Sequence, residues 1–308
     1  MVKKIKHYRN FNISEADKKS ILLIGKGFLG NAIFEEATRK NFQIIGTNYS
    51  NISNSTKLDI TNIHSLENLI GKINPDYIIN LASINDINYL EQNEKIANSI
   101  NTRGPKNIAK IAQEKGIRFF HISTDSIFDG KTGNYSEVDT PKPINVYSSS
   151  KFQGELEIQK YNNNHIILRT NFYGFDLRDR YFFNWILKNF KEKNKIIGFD
   201  DVIFTPLDVK TLSKMIIELF DIRFKGILNL SSDKPVSKFE FILTSAKFCK
   251  IPESKIICGK QDDLKMIAKR PKNTSLDNSL AKKLLKNSPV KLSDWLHTNR
   301  EIISKYLK

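Results

Sequence analysis

The chain has 308 residues but only two cysteines, Cys249 and Cys258, and five histidines. The cysteines form neither a CxxC pair nor a Cys/His cluster, which argues against a structural zinc site. A disulfide scaffold is implausible at this size, which fits a reducing compartment. His64, His165 and His297 lack metal-ligand spacing, and His121 reads as packed at a strand end rather than as a base; no metal is expected. No apolar run approaches the roughly 20 residues that span a bilayer, so no membrane association is expected. Residues 1–20 are basic without an apolar stretch, so a signal peptide is not expected either, and a cytoplasmic protein is. Acidic residues are the scarcer sign, 33 against 49 Lys and Arg, leaving a formal charge of +16. Such an excess can mark a nucleic-acid binder. Here it is dispersed, with only Lys3-Lys4-Ile5-Lys6 concentrated, and it reads as solvated faces. No nucleic-acid partner is expected, although a phosphorylated small molecule would be attracted by such a surface.

The apolar residues are grouped in short runs. Ile21-Leu22-Leu23-Ile24 is continuously apolar and bounded by Ser20 and a glycine turn, the pattern of a strand buried on both faces. Further strands are predicted at 43–47, 77–81, 118–123 and 166–170. Helices are predicted at 31–40, around 66–70, at 97–115 and from Tyr147 to about Tyr161. This alternation predicts an α/β, doubly wound parallel sheet of the Rossmann kind. Beyond about 175 the pattern changes, with helices at 182–190 and 238–250 and a strand at 227–230. The expected organisation is an N-terminal extension over 1–19, a dinucleotide-binding domain over 20–175, and a smaller α/β substrate-binding region over 176–308. Part of 200–230, with Val209 to Phe220, is expected to return to the sheet.

Gly25-Lys26-Gly27-Phe28-Leu29-Gly30 follows the first strand. In this setting the first glycine allows a tight turn. The second lets the backbone approach a pyrophosphate, and the third lets the helix pack against the strand. The helix N-terminus then offers N–H groups to phosphate. An acidic residue at the end of the second strand would bind the ribose hydroxyls of NAD(H) and repel a 2′-phosphate. Asn48 stands there instead, with no Asp or Glu beside it, and Lys26 and Lys57 could meet a phosphate. NADP(H) is therefore favoured over NAD(H).

Tyr147 and Lys151 are four residues apart and share one helix face. A phenol titrates near ~10 and exchanges a proton near neutrality only with help, which a neighbouring ammonium supplies. Ser123-Thr124-Asp125 ends an apolar strand, where a hydroxyl can reach a ligand at the carboxyl edge of the sheet. Together with the glycine turn these residues point to hydride transfer to or from a carbonyl.

Several further segments occur in order. They are Pro75-Asp76-Tyr77-Ile78-Ile79-Asn80-Leu81-Ala82; Asn101 with Gly104 and Asn107-Ile108-Ala109; and His121 to Gly130. Then come Tyr135, Glu137, Asp139, Pro141 and Pro143; Asn145-Val146-Tyr147 with Ser150-Lys151 and Gly154-Glu155; and Arg270-Pro271, Asn273 and Leu276-Asp277. From about residue 21 to 280 the chain resembles the extended short-chain dehydrogenase/reductase family, in particular its dTDP-4-dehydrorhamnose reductase branch. The resemblance implies an NAD(P)H-dependent oxidoreductase that reduces a 4-keto nucleotide-linked deoxysugar in glycan precursor synthesis. Its partner would be a small-molecule nucleotide sugar, and a homodimer is left open.

The resemblance also implies roles. Thr124, Tyr147 and Lys151 would be catalytic, with Lys151 bonding the nicotinamide ribose and keeping the phenol acidic. Gly25, Gly27, Phe28, Leu29 and Gly30 would hold the pyrophosphate, and Asp59 and Ile60 would lie by the adenine. Asn48 would meet a ribose, and Leu81, Ala82 and Ser83 would line the groove. Thr170 and Asn171 would approach the nicotinamide end. Asp125, Ser126, Asn171, Phe172 and Arg270 would contact substrate. The chain departs from the branch at Ser126 (usually Tyr), Phe172 (usually Trp), Ser148 (usually Gly) and in a glycine turn one residue shorter. The changes at 126 and 172 fall where the sugar is expected, so the particular sugar stays open. The alternatives are an epimerase or dehydratase of the same superfamily, recycling bound NAD, and a non-catalytic sugar-nucleotide-binding or regulatory subunit.

Overall fold

The structure is a computed structural model that describes residues 18–50, 55–176 and 181–308; the expected N-terminal extension lies, but for its last two residues, outside the described residues. The first part runs β1 (Ser20–Ile24), α1 (Phe28–Arg39), β2 (Gln43–Asn48), β3 (Thr56–Lys57), α2 (Ile63–Ile73), β4 (Tyr77–Asn80), α3 (Ile87–Glu91) and α4 (Glu94–Ala97). A π-helical segment (Asn98–Arg103), α5 (Gly104–Glu114), β5 (Arg118–Ile122), α6 (Val146–Tyr161) and β6 (His165–Thr170) follow. The later part comprises β7 (Phe172–Tyr173), α7 (Phe182–Lys191), β8 (Ile196–Phe199), β9 (Ile203–Phe204), β10 (Leu207–Asp208), α8 (Val209–Glu218), β11 (Gly226–Leu230), β12 (Val236–Ser237), α9 (Lys238–Phe248), β13 (Ile256–Gly259), α10 (Ser279–Leu284), α11 (Leu292–Thr298) and α12 (Arg300–Leu307).

Seven of these strands form one sheet in the order β11-β6-β5-β4-β1-β2-β3, and every pairing within it is parallel. Successive residues of a strand face opposite sides, and the core divides accordingly. Ile21, Leu23, Ile79, Phe120 and Leu168 join Leu212 and Ile216 of α8 and Ile33 of α1 on one face. Leu22, Ile24, Ile78, Phe119 and Ile167 join Leu66 and Ile70 of α2, Ile108 of α5 and Ile158 of α6 on the other. Both faces are covered, which is why the strands read as unbroken apolar runs. The doubly wound α/β architecture expected from the sequence is the one observed.

Helix α8 packs on the same face as α1, and β11 adds to the edge of the sheet beside β6. Arg118, at the start of β5, fastens the segment between α8 and β11. Its guanidinium donates to the carbonyls of Leu219 (3.0 Å), Phe220 (3.0 Å), Ile222 (2.7 Å) and Phe224 (2.9 Å). A separate apolar cluster unites Phe183 and Phe190 of α7, Phe241 of α9, Trp295 of α11 and Ile303 of α12 with Ile196 and Ile256 of the paired strands β8 and β13.

Two expected elements differ in detail. Helix α1 begins at Phe28 rather than Asn31, because Gly27 serves as its N-cap and the glycine turn runs directly into the first helical turn. The helix expected over 97–115 is a π-helical stretch over Asn98–Arg103 followed by α5. Asn101 lies in that stretch and turns its side chain onto the backbone of Ile84, a contact that helical periodicity does not reveal.

Candidate active site

A cavity of about 1090 Å³ runs along the carboxyl ends of the central strands, from the glycine turn to Tyr147 and Thr170. At one end, Gly25 adopts φ +95°, and a Cβ there would lie 2.8 Å from the Ala82 amide nitrogen. The turn hangs on the end of β2, with the Gly25 and Lys26 amides both donating to the Thr47 carbonyl at 3.0 and 2.9 Å. A Cβ on Gly27 would meet nothing within 4 Å. At Gly30 it would lie 2.5 Å from the Gly25 carbonyl oxygen, so this glycine lets the helix close on the end of its strand. No side chain caps α1 and no acidic residue occupies its first turn. Its positive end is thus left to a ligand.

Around the turn, the Asn48 amide donates to the Lys26 carbonyl at 3.3 Å, while the Lys26 ammonium lies 3.8 Å from the centre of the Phe34 ring. Asp59 accepts from the Thr61 amide (2.9 Å) and hydroxyl (2.7 Å), shaping the bend beside Ile60. Phe28, Leu29, Asn48, Asp59, Ile60, Leu81, Ala82, Ser83 and Thr170 all line the cavity with Gly25, Gly27 and Gly30.

At the other end stand Thr124, Tyr147 and Lys151, which also line the cavity. Helix α6 presents the last two. Asn145 caps it by accepting from the Ser148 amide at 2.8 Å and donates to the Lys269 carbonyl at 2.8 Å. The π-helical segment clamps α6 in place. Asn101 donates to the Ser150 hydroxyl at 3.1 Å, Thr102 donates to the Ser150 carbonyl at 2.8 Å, and Gly154 lies so close to the Asn101 carbonyl that a Cβ would collide with it. Behind the floor, buried Glu155 accepts from Ser123 and forms an ion pair with buried Arg169 at 2.8 Å.

Burial pushes the Tyr147 phenol up to about 12; the nearby Asp125 charge adds to this and the Thr124 hydroxyl opposes it. The phenol is therefore a loaded proton donor across the neutral range. Lys151 is pulled down to about 8 by burial, against the opposing charge of Glu155. Its ammonium was expected to acidify the phenol. In the structure Lys151 Nζ donates to the Ile122 carbonyl at 2.7 Å and faces His121 Nε2 at 3.2 Å.

Among the residues expected to contact substrate, Ser126, Asn171 and Phe172 line the cavity. The Phe172 ring lies 6.2 Å from that of Phe28, which also packs against Tyr181 at 4.5 Å. Asp125 does not line it. It lies beneath the floor, where Oδ2 accepts from Thr274 (2.7 Å) and Asn171 (3.1 Å) and Oδ1 from Thr124 and Ser126 (both 3.2 Å). Arg270 lies outside the cavity-lining residues, with its guanidinium 3.5 Å from Asn88 Oδ1. Residue-level reading did not assign site roles to Asn80, Asn101, Ser150, Glu155 or Arg169. The ordered segments around 75–82, 101–109 and 145–155 were the available signal for all but Arg169. Among the described residues, no group of His, Cys, Asp and Glu is placed to hold a metal, and no helix is long and apolar enough to cross a membrane.

Residues 19–307 match the RmlD substrate binding domain family. The chain is 28% identical to a probable low-salt glycan biosynthesis reductase, Agl14, of Haloferax volcanii, over 91% of this chain and 96% of that protein. It is 24% identical to the methionine adenosyltransferase 2 subunit beta of Xenopus laevis, over 89% and 84% of the two chains. Among solved structures, dTDP-4-dehydrorhamnose reductase from Bacillus anthracis in complex with NADP superposes with a TM-score of 0.82 at 26% identity, over 91% of this chain and 98% of that one. The match spans both the sheet and the C-terminal helices, and the chain accordingly belongs to the RmlD substrate binding domain family.

Proposed function

We propose that this protein reduces the 4-keto group of a nucleotide-linked deoxysugar with a nicotinamide cofactor, in the synthesis of a glycan precursor. The observation that carries this reading is that Thr124, Tyr147 and Lys151 line the same cavity whose far end is the glycine turn of α1. We read 20–175 as the dinucleotide-binding part and 176–308 as the substrate-binding part, with α8 and β11 contributed back to the sheet.

The cavity fits a dinucleotide. The space beside Gly27 is open, Gly25 lies against the Ala82 backbone, and the uncapped start of α1 suits a pyrophosphate. Gly25, Gly27, Phe28, Leu29 and Gly30 would hold the pyrophosphate. Asn48 would meet a ribose, Asp59 and Ile60 would lie by the adenine, and Leu81, Ala82, Ser83 and Thr170 would border the rest. When bound, the reduced nicotinamide supplies a hydride to the ketone carbon. Tyr147 donates its proton to the oxygen that becomes an alkoxide. Thr124, on turning its one hydroxyl proton away from Asp125, would donate a hydrogen bond to the same oxygen, where negative charge develops. Lys151 orients the cofactor ribose and, as an ammonium, eases release of the phenolic proton. Ser126, Asn171 and Phe172 border the sugar, and Asp125 fixes Thr124, Ser126 and Asn171 from below. We favour NADP(H) over NAD(H), because β2 ends at Asn48 and is followed by Tyr49-Ser50, with no carboxylate among them.

A screen of nucleotide-linked 4-keto sugars with NADPH and NADH tests the reading through loss of nicotinamide absorbance. Stoichiometric oxidation of NADPH is expected. Replacing Tyr147 with Phe should retain cofactor binding and lower turnover by about 10²–10⁴. The similarity to an adenosyltransferase subunit gives a second reading, a regulatory subunit. Biological activity unaffected by Tyr147→Phe, with no keto sugar reduced, would favour it.

A further inference from the structure

We propose that His121 is a positioning residue for Lys151: locked as the Nε2-protonated tautomer, its ring offers a fixed N–H to the lysine nitrogen and so governs the place and the protonation of that nitrogen. The consequence for turnover rests on the role given to Lys151 above, whereas the tautomer itself does not.

The lock begins at the backbone. The Ala82 amide donates to Asn80 Oδ1 at 3.1 Å. With its oxygen committed, Asn80 presents Nδ2 to His121 Nδ1 at 3.1 Å. An amide nitrogen only donates, so Nδ1 must accept, and a neutral imidazole then carries its proton on Nε2. The reverse assignment would turn the Asn80 amide nitrogen onto the Ala82 N–H and set two donors face to face. Asn80 and His121 are both buried, at 0% and 1% exposure, where unmatched polar groups are costly.

His121 Nε2 faces Lys151 Nζ at 3.2 Å, and Lys151 also donates to the Ile122 carbonyl at 2.7 Å. An ammonium has no lone pair to accept the Nε2 proton; a neutral amine has one. All donors and acceptors along Ala82, Asn80, His121, Lys151 and Ile122 are matched only when Lys151 is an amine. The ring itself stays neutral, held well below the ordinary histidine range by burial and by the lysine charge. The other ionisable groups around Lys151 are Tyr147 and Glu155 on its own helix. Arg169 of β6 is engaged with Glu155, and Lys95 and Arg103 line the same cavity. Glu155 favours the ammonium and burial opposes it. The His121 N–H adds to the second side, so Lys151 exchanges its proton within reach of the working pH.

Nitrogen NMR of protein labelled with ¹⁵N-histidine tests the lock directly, with His121 assigned through His121→Gln. Protonated Nε2, bare Nδ1 and no titration across about pH 5–8 are expected. The alkaline limb of the reduction rate gives a second readout. In His121→Phe, which removes the donor, it should move up by about one pH unit. In His121→Gln, which can place an amide N–H where Nε2 stood, it should stay near that of the unsubstituted protein. A proton on Nδ1, or an identical alkaline limb in His121→Phe and the unsubstituted protein, overturns the proposal. Protonated Nε2 in a protein that reduces no keto sugar supports the lock and counts against the assigned reaction.

Discussion

Asn101 and Ile84 exchange two hydrogen bonds: the Ile84 amide donates to Asn101 Oδ1 and Asn101 Nδ2 donates to the Ile84 carbonyl, each at 3.0 Å. The same Nδ2 reaches Ser150 on α6. One side chain thus ties the loop after β4 to the helix that carries Tyr147 and Lys151. Asn101→Ala leaves these backbone groups without their partner and should cost about 2–3 kcal/mol of stability. Urea unfolding measures that cost. Turnover should fall more than cofactor affinity, because α6 loses its brace.

Gly25 and Gly27 should respond differently to a side chain. Gly25→Ala places a Cβ 2.8 Å from the Ala82 nitrogen at φ +95°, and a loss of about 2 kcal/mol or more is expected in thermal or chemical unfolding. At Gly27 the Cβ that Gly27→Val introduces would meet no protein atom within 4 Å. Its stability should stay within about 0.5 kcal/mol of the parent, while cofactor affinity in a fluorescence titration should drop.

Arg118→Ala removes donors from four carbonyls of the segment that leads into β11. A loss of about 3 kcal/mol is expected. Hydrogen exchange should show lost protection first in residues 219–230.

Lys151 offers a pH test of stability. Its folded-state pKa is lowered from 10.5 to about 8, so between these values the unfolded chain binds more protons than the folded one. Stability linked to this group therefore rises as pH climbs from 8 towards 10.5. Lys151→Met should be more stable than the parent at neutral pH, with the difference shrinking as the solution becomes alkaline. Parallel urea midpoints for the two proteins would check the sign; a pH-independent difference would count against a buried, depressed lysine.

Much of this arrangement was legible in the sequence. Ile21 to Ile24 and Tyr77 to Asn80 read as strands because both their faces are covered, so each residue had to be apolar or internally bonded. Gly25 and Gly27 were legible because a tight turn and an open approach both select for a missing side chain. The π-helical stretch around Asn101 was not, since apolar spacing is blind to an amide that bonds a loop. The pairing of β7 with β10 and of β9 with β12 was equally hidden, two residues per strand being too few to show a period. His121 was correctly read as packed at its strand end. Its contact with Lys151, thirty residues along the chain, depends on the β5–α6 geometry and leaves no local trace. Asp125 lies below the cavity floor because four donors converge on it from both parts of the chain.

The interleaving of β11 with β6 bears on how this protein can be dissected. A fragment ending near residue 175 would leave His165–Thr170 as a bare sheet margin, with its peptide groups ready to pair with another copy. It would also lose α8, whose Leu212 and Ile216 belong to the apolar cluster on one face of the sheet. Separate expression of the two halves should therefore give precipitate rather than a cofactor-binding module.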